Sequence, residues 1–97
     1  MTPEENTERR NRALAKARQA GLLPECRLKI IRLAMSAEVS VSKAWNSYFA
    51  ISRQGLTFEQ SMAMAALFIA YWPLGVAMPG KYIPSDPLDW RGRIRTA

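Results

Sequence analysis

Ninety-seven residues are enough for one small domain and too few for two. An apolar fraction of 48% excludes a disordered chain, and the complete lack of histidine removes the commonest general base and metal ligand. Fourteen Lys and Arg against eight Asp and Glu give a net charge of +6, which points toward an anionic partner: nucleic acid, a membrane surface or an acidic protein surface.

The charge is unevenly placed. Residues 1–36 carry eight basic and four acidic groups, residues 37–80 two of each, and residues 81–97 four and two. One cysteine, Cys26, allows no internal disulfide and fits a reducing, cytoplasmic setting. The opening MTPEENTERR has no apolar core of the kind a secretory signal needs.

The first predicted helix covers residues 2–20. Thr2, Pro3 and Glu5 supply a cap, a first-turn proline and a capping-box partner. Glutamates come early, Arg9, Arg10, Arg12, Lys16 and Arg18 follow, and Gly21 marks the stop, an order that complements the helix dipole. Its apolar content is only Leu14 and a few alanines, so weak docking or ordering by a partner is expected. The composition is similar to that of the arginine-rich helices that some small RNA-binding proteins insert into RNA grooves. The plainer alternative is a solvated helix whose glutamates pair with its own arginines.

A second helix is predicted over residues 24–37. Leu23, Cys26, Ile30, Leu33, Ala34 and Ala37 form one stripe, and Arg27, Lys29 and Arg32 lie off it. Cys26 on that stripe reads as a packing residue rather than a reactive thiol. After a break at residues 39–42, a third helix runs to about Gln54, with Ser40 or Ser42 as cap and Gly55 beyond its end. Val41, Ala44, Trp45, Tyr48, Phe49 and Ile51 make its apolar face. Lys43, Asn46, Ser47, Arg53 and Gln54 lie mostly opposite. Helices two and three with their short linker offer a helix-turn-helix, although Glu38 and Val39 occupy a linker where such motifs often carry glycine. A simple amphipathic helix explains the same residues.

The fourth helix, residues 58–72, is apolar on every side. Thr57 and Gln60 match the capping box, and Pro73 ends the helix. Such a helix belongs in a core or in a membrane. Ser61 to Gly80 holds 20 uncharged residues, near spanning length, but Tyr71 and Trp72 fall at its middle rather than at its ends. A buried helix covered by helices two and three is the expectation, with a membrane association as the alternative.

These elements predict an all-α fold: a small bundle of three core helices, a basic N-terminal helix and an extended, proline-rich C-terminal tail. The expected divisions are residues 1–21, 22–78 and 79–97. No nucleophile, base and orienting group come together, so no catalysis and no cofactor or metal is expected. The leading functional expectation is a nucleic-acid-associated regulator that contacts phosphate through Arg9, Arg10, Arg12, Lys16, Arg18, Arg27, Lys29 and Arg32. The runner-up is a protein-binding accessory factor: an adaptor, assembly subunit or inhibitor. It would use the tail, with Trp90, Arg91, Arg93 and Arg95 as contact residues.

Overall fold

The computed structural model describes residues 2–77. They form four α-helices, α1 (Pro3–Gln19), α2 (Pro24–Met35), α3 (Val41–Ser52) and α4 (Phe58–Tyr71), with a 3-10 turn over Ser36–Glu38. No strand occurs among the described residues. The small all-α bundle is therefore the fold. The tail over 79–97, with Trp90, Arg91, Arg93 and Arg95, lies outside the described residues.

Local chemistry sets the helix ends. Thr2 Oγ1 accepts from the Glu5 amide at 3.1 Å, and the Glu5 carboxylate accepts from the Thr2 amide. The same reciprocal pair joins Thr57 and Gln60, at 3.1 Å in both directions. At the end of α1, Gly21 takes φ +81, the Leu22 amide donates to Ala17 and the Gly21 amide donates to Arg18. This is a Schellman motif, and glycine supplies the left-handed residue it needs. Leu22, just beyond, is buried. α4 stops at Tyr71 because Trp72 precedes Pro73 and takes an extended conformation, ψ 134. The chain then turns: the Val76 amide donates to Pro73, and Trp72 Nε1 donates to the Val76 carbonyl at 2.9 Å.

Two helix ends fall two residues short of the sequence expectation, the other differences being of one residue. The second helix ends at Met35 and tightens into the 3-10 turn, whose Ala37 is buried, instead of continuing to 37. Short 3-10 pieces are common at helix ends because they pair otherwise orphaned carbonyls. The third helix ends at Ser52, ahead of residues 53–54.

α4 is the central element. Met64, Leu67 and Phe68 are fully buried, and Ala63, Ile69 and Ala70 nearly so. Its closest backbone neighbours are α1 and α2. α1 lies antiparallel to α4: Arg10 reaches Ala70 and Tyr71, whereas Lys16, Gln19 and Ala20 sit beside Glu59, Met62 and Ala63. Ala13 and Ala17 are buried in this contact. The first helix thus packs more closely than its thin apolar content leads one to expect, because small side chains let two backbones approach. α3 meets α4 through large rings instead. Tyr48 stacks on Phe68 at 4.3 Å between centroids, and Trp45 contacts Phe68 at 5.7 Å and Trp72 at 6.1 Å.

Candidate binding surface

The eight basic residues proposed from sequence do not form one surface. Successive helical residues are turned by about 100°, so the five cations of α1 spread around it. Arg10 points inward. Its Nε donates to the Ala70 carbonyl at 3.2 Å, and its guanidinium lies 4.6 Å from the Tyr71 ring centroid. It satisfies one of the orphan carbonyls at the end of α4 and places positive charge at the negative end of that helix. Arg27 is also used internally, donating from Nη1 to the Leu22 carbonyl at 2.6 Å and fixing the α1–α2 connection. Arg9 is half-buried. Arg12, Lys16, Arg18, Lys29 and Arg32 are exposed. Arg12 and Lys16 share one edge of α1, and Arg18 falls on the other side of its buried stripe.

Arg10 on α1 and Arg27 on α2 were both expected among the phosphate contacts, and the structure gives each an internal hydrogen bond. Each is held against a carbonyl whose hydrogen bond would be lost if the side chain turned outward. Sequence offered little warning for Arg10, whose partners are 60 residues away.

The remaining exposed cations gather elsewhere. A groove of about 840 Å³ runs between the outer side of α2 and the first turns of α3. Its apolar surface comes from Leu28, half-buried Leu33 and Val39, which is 90% exposed. Lys29 and Arg32 line the α2 side and Lys43 the α3 side. Glu25 is the one acidic residue lining it. The lining residues recur at three- and four-residue spacing from Glu25 on α2 to Ser36 at the start of the 3-10 turn, so the groove follows that helix along its length. Ser40 caps α3 by accepting from the Lys43 amide at 3.2 Å, which fixes the first turn of that wall. Ser36 donates back to the Leu33 carbonyl at 2.7 Å.

Lys29, Arg32 and Lys43 were expected on outer faces, and all three are exposed. Val39 and Leu28 were not expected as partners of those cations. Their joint placement depends on how α2 and α3 cross, which helical periodicity within each segment does not contain. Met35, seven residues from Leu28 on the same side of α2, adds a further exposed apolar side chain.

No family model, curated protein or solved structure matches this chain. The groove must be interpreted on its own chemistry. The other candidates are weaker as sites. Cys26 is half-buried and packs against the core. Trp45 and Trp72 are buried, as expected from their apolar faces. Among the described residues, no helix is long and apolar enough to cross a membrane.

Proposed function

We propose that the protein is a non-enzymatic accessory factor that binds a protein partner along the α2–α3 groove. The observation that supports this reading is the combination of Leu28, Leu33 and Val39 with Lys29, Arg32 and Lys43 in one concave surface. Protein interfaces join an apolar centre to a polar rim, and arginine is among the residues that dominate their energetics. A phosphate backbone calls on the cations alone and has no use for the exposed apolar side chains beside them.

A pull-down of the full chain from its source cell, with and without nuclease, tests the reading. The expected result is a protein partner that survives nuclease and is lost in Leu28→Glu or Val39→Asp. Both side chains are exposed, so neither change removes a core contact.

Nucleic acid is the second reading, favoured by the continued exposure of Arg12, Lys16 and Arg18 on α1. A nucleic-acid binder retains DNA or RNA on a filter at low salt and loses it steeply as salt rises. Capture that disappears with nuclease would move this reading to first place.

A further inference from the structure

We infer that the groove receives an acidic, amphipathic helical segment of a partner protein. The inference rests on the protein-binding reading and adds the chemistry of the partner. Both walls of the groove are helices, and no strand edge is present among the described residues to accept an added strand. A groove between helices takes a third helix, anchored by apolar residues at i, i+3 or i+4, and i+7. The α2 wall spans Glu25 to Ser36, about 18 Å of helix, which matches roughly three turns of an occupant. Such an occupant lays its apolar stripe on Leu28, Leu33 and Val39, between Lys29 and Arg32 on one wall and Lys43 on the other.

Charge fixes the sign of the partner and its orientation. Three cations face one acid, and that acid, Glu25, sits at the α2 N-terminal end. Arg32 and Lys43 flank the groove farther along, where Ser40 caps the N-terminus of α3. The partner's carboxylates therefore cluster opposite Arg32 and Lys43, and a basic residue is tolerated only opposite Glu25. In sequence, the acids Asp86 and Asp89 of the chain's last residues stand beside Pro84 and Pro87, which is not the pattern of an acidic amphipathic helix. The acidic stretch Glu4–Glu8 has no apolar side chain, so α1 of a second copy does not match either.

The test uses the full chain and a 16-residue capped peptide with leucines on one helical face and glutamates elsewhere. Three comparison probes are a shuffled peptide of equal composition, a peptide with lysine for every glutamate, and a 20-base-pair DNA duplex. Fluorescence anisotropy at low salt gives affinity, and amide shifts locate binding. The expected result is binding of the first peptide only, with shifts at Leu28, Arg32 and Lys43. Arg32→Glu with Lys43→Glu should weaken it at least tenfold and admit the lysine peptide, in a protein whose circular dichroism is unchanged. Equal binding of the shuffled peptide, no binding, or displacement of the peptide by the duplex through the same amides overturns the inference. A photo-crosslinker at Ser47, used in nuclease-treated extract, separates the two claims. A cross-linked segment lacking acidic excess overturns this inference and leaves protein binding standing, whereas no cross-linked protein overturns both.

Discussion

α4 is apolar on every side, but its two opposite sides are packed by different means. On one side of α4, Ala63, Ala66 and Ala70 recur at three- and four-residue spacing, and the antiparallel α1 beside it buries Ala13 and Ala17. Toward α3, α4 offers Phe68, two residues from both Ala66 and Ala70 and so about 200° round the helix. There Tyr48 and Trp45 close on Phe68, with Trp72 completing the cluster. The alanine side brings backbones close with little area per residue. The aromatic side holds backbones apart and fills the gap with rings. One side should therefore fail when volume is added, and the other when volume is removed.

The largest effect is expected on the aromatic side. Phe68 is fully buried and touches three other rings. Phe68→Ala should cost about 3–5 kcal/mol in urea unfolding, through lost burial and the cavity left behind. A cost under about 1 kcal/mol would mean that the rings collapse onto one another and that the aromatic side is not held apart.

Next in size is a pH effect on the same cluster. Burial pushes the Tyr48 phenol up from 10.0 to about 12. Between those values the unfolded chain loses the proton while the folded chain keeps it. Stability is then fully present below pH 10 and falls as pH rises through 12, by about 2–3 kcal/mol from this group. Comparing unfolding midpoints of the wild type and Tyr48→Phe from pH 9 to 12 isolates the effect. Parallel curves would show that Tyr48 ionises as easily in the fold as out of it.

On the alanine side, Ala17→Leu should cost about 1–3 kcal/mol, because Ala17 is fully buried and a larger side chain must push α1 off α4. Ala15→Leu, exposed on the same helix, should change stability by less than about 0.5 kcal/mol. Equal effects at the two positions would place α1 loosely on the bundle.

The same contrast explains what the sequence made legible. Period and caps announce helices, so Thr2, Thr57, Gly21 and Pro73 marked element ends well, and the rings of α3 announced a buried face. The alanine contact was read as weak because area counts little for alanine, and close approach is a property of two helices together. The binding groove was hidden for a related reason. Leu28 and Val39 are unremarkable within their own segments and matter only once α2 and α3 cross beside Lys29, Arg32 and Lys43.

Arg10 and Arg12 sharpen the comparison at its smallest scale, because two residues of one type on one helix divide between fold and surface. Arg10 donates to the Ala70 carbonyl and covers Tyr71, so it ties the alanine-packed pair at the end of α4. Arg10→Ala should cost about 1–2 kcal/mol, from the lost charge-assisted bond, the ring contact and the helix-end charge. Arg10→Lys should recover only part of this, since an ammonium lacks the planar guanidinium that both donates and lies on the ring. Arg12→Ala, in solvent, should leave stability within about 0.5 kcal/mol of wild type. If α1 binds nucleic acid, the order reverses in a filter assay: Arg12→Ala weakens retention and Arg10→Ala does so only as far as it unfolds the helix. Urea unfolding and salt-dependent retention measured on the same two variants therefore separate the arginine that holds the bundle from the one left free for a ligand.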